Sequence, residues 1–315
     1  MASPIPDNNR VGKIPRGSSQ LRRAFQEFTD DYVRGNPKAA LLLGDIGAYS
    51  FASLLQDFPK RAINVGILEQ AMVGFAAGLA SRGFHPIVHS IAPFLIERAL
   101  EQIKVDFGYQ ALPGTFVSVG ASYDYSKLGA THHSPADLAV FSTIPGARVW
   151  APANSNDVKN VLAESFGSSA LNYVRLSSVE AHVPGIELGL GYSKIHDGDG
   201  PLVVAVGATL KNALMVTKEL GLPLGFVNLV SPFPISEVAK AMRGGELIIL
   251  EPGYSGSILF SEPRLSGLGT VHSIGVPRRF LRDYGTFEEM EDLAEMSERA
   301  LLARLNGLIR GENEA

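Results

Sequence analysis

One acidic residue stands in a helix that otherwise has no use for charge. In Asn64-Val65-Gly66-Ile67-Leu68-Glu69-Gln70-Ala71-Met72, the run from Arg61 to Val65 reads as a strand and Gly66 as the turn after it. The helix continues through Val73, Ala76, Ala77, Leu79 and Ala80, with Gly74 and Gly78 permitting close packing. Glu69 falls in the first helical turn, where the positive helix end favours a negative charge. An acid among apolar neighbours also demands a specific partner. Phe94 heads a helix directly after Pro93, which would hold its ring rigidly, and Arg98 follows one turn later. Asp45 lies in a turn after a strand, where a cap and a pocket-lining role are equally open. His132 and His133 do not make a metal site, because adjacent side chains diverge and no third ligand stands at a recognisable spacing. Asp137, just after Ser134-Pro135, reads as structural charge in a first helical turn.

The elements that must position these residues alternate. Short apolar runs predict strands near 40–44, 61–65, 86–90, 115–119, 147–151 and 172–176, and helical periodicity predicts helices near 19–34, 69–82, 94–108, 135–142 and 155–166. That alternation implies a mostly parallel sheet covered on both faces. A polar, glycine-rich stretch from Ser177 to Gly200 breaks the pattern. A second series follows, with strands at Leu202–Val206, Leu224–Val227 and Leu247–Leu250, helices from about Thr209 to Leu220 and near Ile235–Met242, and a closing amphipathic helix over Phe287–Leu308. The expected division is an arm at 1–18, a first domain at 19–180, a linker at 181–200 and a second domain at 201–315. The fold class is α/β, two doubly wound, mostly parallel-sheet domains.

Composition narrows the function classes. A chain of 315 residues, 45% hydrophobic and 19% charged, holds enough apolar surface for two cores. No apolar run reaches the roughly 18 residues that span a bilayer. The absence of cysteine excludes disulfides and thiolate-bound metal, and fits a cytoplasmic protein. A net charge of -4 argues against general nucleic-acid binding, although Arg10, Lys13, Arg16, Arg22 and Arg23 make the first segment locally basic. No Gly-x-Gly-x-x-Gly follows the first strand, which disfavours a nucleotide-binding oxidoreductase.

Four motifs in order carry a resemblance. Leu41-Leu42-Leu43-Gly44-Asp45, the Gly66-Ile67-x-Glu69-Gln70 helix, Pro93-Phe94-Leu95 with Arg98, and Gly129-Ala130-Thr131-His132-His133 before Ile144-Pro145-Gly146 resemble the pyrimidine-binding domain of thiamine diphosphate enzymes of the transketolase family. The resemblance is good over roughly residues 38 to 180 and looser beyond. It implies thiamine diphosphate as cofactor, with Glu69 hydrogen-bonded to the aminopyrimidine and Phe94 stacked on it, and with Asp45 near the same pocket. It further implies His132 as a catalytic, substrate-channel histidine, with His133 and Arg98 as substrate-binding residues; neutral imidazoles suit sugar hydroxyls and proton transfer.

The family holds diphosphate and magnesium on another domain, through Gly-Asp-Gly after a strand and a later asparagine. Gly198-Asp199-Gly200 with Asn228 imitates that spacing, but here the motif precedes a strand, at the wrong end for a phosphate loop. No metal site is expected in this chain. The expectation is therefore the C-terminal half of a split enzyme, a homodimer core within a heterotetramer, with magnesium held by an N-terminal transketolase-like partner subunit. Departures point to the acceptor. Arg175-Leu176-Ser177-Ser178 replaces Arg-x-x-Arg, Glu97 adjoins Arg98, and Leu128 replaces an acidic residue, so phosphate recognition is weakened. The Tyr123–Gly129 loop is similar to transketolase-like proteins of surface-polysaccharide or natural-product pathways. The expected reaction moves a two-carbon ketol or acyl unit from a ketose or 2-oxo acid donor to a carbonyl acceptor other than a simple aldose phosphate. The rivals are the β-subunit of a 2-oxoacid dehydrogenase, and a non-catalytic regulatory subunit of the same fold.

Overall fold

A computed structural model describes residues 19–311. The strands are β1 (Ala39–Leu43), β2 (Ala62–Asn64), β3 (His85–Ile91), β4 (Gly114–Val119), β5 (Arg148–Trp150), β6 (Leu171–Arg175), β7 (Tyr192–His196), β8 (Leu202–Val206), β9 (Leu224–Val227), β10 (Leu229–Ser231), β11 (Glu246–Tyr254) and β12 (Thr270–Val276). They form a seven-stranded sheet in the order β10-β5-β6-β4-β3-β1-β2 and a five-stranded sheet in the order β12-β11-β8-β9-β7. Pairing is parallel except where β10 meets β5 and β7 meets β9. The fold is thus the expected pair of mostly parallel sheets.

Each central strand is apolar on both sides because both faces are covered. Leu42, Val88, Phe116 and Tyr173 pack with Met72, Val73 and Ala76 of the helix Glu69–Ser81. The alternate residues Leu41, Leu43, Ile87, Val117 and Val174 pack with Phe25 and Val161 of the helices Gln20–Gly35 and Ser155–Phe166. Side chains cap both of those helices: Ser19 accepts from the Arg22 N–H, and Asn154 from the Asp157 N–H. Leu202, Val204 and Ile249 of the second sheet join the same cluster as Leu42 and Phe116, so one continuous apolar core links the two sheets.

Several elements differ from expectation. The stretch 181–200 contains β7, whose polar Tyr-Ser-Lys-Ile-His pattern belongs to an exposed edge. β10 and β12 were not expected either; β12 begins with one exposed residue and three that are only partly covered. The closing helix is two helices, Phe287–Leu293 and Glu298–Ile309, divided where Glu295 takes a left-handed φ of 57°. The helix expected over 94–108 is π-wound at Pro93–Glu97 and Ile103–Tyr109, with a short α-turn at Leu100–Gln102 between. The arm at 1–18 lies outside the described residues. Among the described residues no helix is long and apolar enough to cross a membrane.

Candidate active site

The chain reverses its direction across the first sheet between β1 and β3, since β2 lies on the far side of β1. In open α/β sheets a crevice forms beyond the carboxyl ends of the strands at such a point. Its floor is closed by the Gly44 N–H, which donates to the His89 carbonyl at 3.0 Å. Glu69 opens its helix above that floor with only 1% of its side chain exposed. Ser90 Oγ donates to Oε1 at 3.2 Å and Arg98 Nη1 donates to Oε2 at 2.8 Å. Gly44 suits this arrangement, because a Cβ there would stand 3.1 Å from Ser90 Oγ and 3.5 Å from Glu69 Oε1 and would crowd the hydroxyl.

The π-turn at Pro93–Glu97 ends with the Arg98 N–H donating to the Pro93 carbonyl at 3.0 Å. Wide turns of this kind hold one residue more than an α-turn and recur at functional sites. Here the turn brings Phe94 and Arg98 together, with the guanidinium carbon 4.4 Å from the centre of the ring. Gln70 Nε2 donates to the Arg98 carbonyl at 3.3 Å, which ties this turn to the Glu69 helix. His132 meets Phe94 edge-on at 5.1 Å between ring centres and Tyr125 at 5.9 Å. Its Nδ1 lies 2.9 Å from Thr131 Oγ1, which sets the ring's orientation.

Glu69, Phe94, Arg98 and His132 are therefore assembled in one place. Two other expected site residues stand outside this cluster. Asp45 is exposed at a left-handed φ of 67°, and its hydrogen bonds go to Asn64: its N–H donates to Oδ1 at 2.9 Å and its carboxylate accepts from Nδ2 at 3.1 Å. It braces the turn after β1. His133 is buried, and that burial pushes its pKa down, with His132 adding to the effect, so its ring stays neutral. Sequence reasoning missed Ser90 and the role of Gly44. The available signal was the polar pair His89-Ser90 within the buried run 86–91 of β3.

Arg175, at the end of β6, does not face this crevice as a phosphate grip. It is 3% exposed, pairs with Asp137 at 3.3 Å, and donates to Ser122 Oγ and to the Pro252 carbonyl. Asp137 also accepts from Tyr173 Oη at 2.6 Å and from the Leu138 N–H at 2.8 Å. The Gly198-Asp199-Gly200 turn is likewise unrelated to Asn228. Asp199 precedes β8 while Asn228 follows β9, and the two strands run parallel, which puts these residues at opposite ends of the sheet. Asn228 is instead buried, donating to Asp157 and to the Gly189 carbonyl.

Residues 18–179 match the transketolase pyrimidine binding domain. The chain belongs to the transketolase family. An uncharacterised 33.6 kDa protein of the fasciation locus of Rhodococcoides fascians is 33% identical over 292 residues, which is 91% of this chain and 94% of that protein. An apulose-4-phosphate transketolase subunit of Actinobacillus succinogenes is 32% identical over 190 residues, 58% of this chain and 61% of that protein. A solved structure of a split gene transketolase, an inactive beta4 tetramer, superimposes with a TM-score of 0.76 at 22% identity. That match covers 92% of this chain and 97% of the other, so in fold the chain is the counterpart of one subunit of a split transketolase. Membership of the transketolase family implies thiamine diphosphate.

Proposed function

We propose that the chain is one subunit of a two-component transketolase-like enzyme that transfers a two-carbon ketol or acyl unit between carbonyl compounds. A partner subunit of N-terminal type would complete the site and hold the diphosphate and magnesium. The observation that carries this reading is the space between Phe94 and Glu69. A flat, hydrogen-bonding group, the Arg98 guanidinium, already stacks on the ring and bonds to the carboxylate there, so the residues fit an aminopyrimidine in the same place. When bound, thiamine diphosphate supplies a thiazolium carbon able to add to a carbonyl group.

The chain's own residues have separable tasks in this reading. Glu69 shares a proton with the pyrimidine ring nitrogen, held in place by Ser90 and fenced from water by its burial. Phe94 supplies the stacking face. His132, edge-on to Phe94 and fixed through Thr131, hydrogen-bonds a hydroxyl of the donor and moves a proton at the reacting carbonyl oxygen. Ile67 and Leu68, just before Glu69, and Phe75 further along its helix are exposed at 68%, 60% and 46%, apolar surface suited to cover by the partner. With Arg175 committed to Asp137, the acceptor in this proposal is not a simple aldose phosphate.

The test is reconstitution with the transketolase-like N-terminal subunit. Ketol transfer that needs both chains, and is absent from this chain alone, is the expected outcome. Robust activity of the isolated chain, or acylation of a dihydrolipoyl domain in place of ketol transfer, would overturn it. Efficient use of ribose 5-phosphate and xylulose 5-phosphate would remove the clause on the acceptor and leave the rest.

A further inference from the structure

We propose that Arg98 is a built-in placeholder for the cofactor's pyrimidine, a side chain that occupies the site in the free chain and must swing out before the cofactor enters. The inference rests on the function proposed above and goes beyond it. A guanidinium is flat, cationic and rimmed with N–H donors, like a protonated heterocycle. Its 4.4 Å separation from the Phe94 ring centre is a stacking distance, and its Nη1 spends its hydrogen bond on Oε2 of Glu69. A pyrimidine ring needs that same face and that same carboxylate. Both groups cannot be satisfied at once by two different occupants, so binding is an exchange.

The hold on Arg98 is of the kind that can be released. Its side chain is 43% exposed, and among the described residues its guanidinium has one hydrogen bond, to Glu69. Its backbone is anchored independently, through the Pro93 carbonyl on one side and Gln70 on the other, so the side chain can rotate into solvent without unwinding the turn. The carboxylate, by contrast, is 1% exposed and keeps only Ser90 Oγ when Arg98 leaves. The placeholder therefore stabilises the empty site and lowers its apparent affinity. The dissociation constant is raised in inverse proportion to the fraction of molecules in which Arg98 is out.

Two effects of opposite sign follow from truncating Arg98, and a merely structural arginine would give only the first. Wild type, Arg98→Ala, Arg98→Lys and Glu69→Gln are compared as the full chain by thermal unfolding and by calorimetric titration with thiamine and with thiamine diphosphate. The expected result is that R98A melts at a lower temperature without ligand yet binds both probes about tenfold more tightly. R98K, which keeps the charge but loses the flat stacking surface, should fall between on both counts, and remains informative if R98A folds poorly. Binding by R98A that is unchanged, weaker or undetectable at millimolar probe would overturn the placeholder. If E69Q still abolishes binding in that case, the site reading stands and only the placeholder falls. If E69Q binds as wild type does, the site reading itself falls, and the placeholder with it.

Discussion

Two of the arginine–carboxylate pairs around the seven-stranded sheet do opposite things. Arg175–Asp137 is closed on all sides, with side-chain exposures of 2% and 0%, and Ser122, Tyr173 and a backbone carbonyl add hydrogen bonds to it. Arg98–Glu69 is closed on the acid's side and open on the base's, at 1% and 43%. A buried pair surrounded by donors and acceptors is expensive to disturb, because either partner alone is left as an uncompensated charge. A half-open pair gives up its arginine to water cheaply. The same two residue types thus build a fixed joint in one place and an exchangeable contact in the other, and exposure of the cation decides which.

That contrast can be broken from either side. The largest effect is expected at the open pair and in activity: Glu69→Gln should lower the turnover of the reconstituted enzyme by about 10³-fold or more while leaving the chain folded. Circular dichroism alongside the rate measurement separates the two. Asp137→Ala should do the reverse, costing about 3–5 kcal/mol in urea unfolding because it strands Arg175 in the interior. Arg98→Ala should cost only about 1 kcal/mol by the same measurement, since its guanidinium is already part-solvated.

A third buried carboxylate sharpens the comparison through pH. Asp157 is 1% exposed and hydrogen-bonds the Ala153 N–H and Asn228, with no cation paired to it among the described residues. Burial pushes its pKa up to about 7. A raised folded-state value means that its contribution to stability is whole below the ordinary aspartate range near 3.8 and is lost as pH rises through about 7. Urea unfolding at pH 5 and pH 8.5 should therefore show wild type losing stability relative to Asp157→Asn at the higher pH. Equal losses in the two proteins would show that Asp157 does not titrate in this window.

Strong periodicity made most of the framework legible. β8, β9 and the helix Ser155–Phe166 lie where apolar spacing put them, because covered strands and capped helices announce themselves locally. β7, β10 and β12 did not, since edge strands are chosen by a neighbour and carry little apolar signal of their own. At the site, Glu69 was legible as a charge in the wrong company and Phe94 as an aromatic at a helix head. The part of Arg98 as Glu69's partner was not, because it depends on a π-turn that no spacing rule encodes. Arg175 shows another limit: the sequence marks only a departure from Arg-x-x-Arg there, and the inward turn toward Asp137 and Pro252 is set by three-dimensional placement.

The chain crosses from one sheet to the other within a single residue. β9 ends in the five-stranded sheet at Val227, Asn228 donates its amide to Asp157, and β10 starts at Leu229 as the outermost strand of the seven-stranded sheet, antiparallel to β5. An inner strand of one sheet thus leads straight into the border strand of the other, like a seam thread shared by two panels. Cutting the chain between residues 181 and 200 would not release two self-sufficient pieces, because the first would lose its border strand. The shared strand also ties the two sheets together at this border.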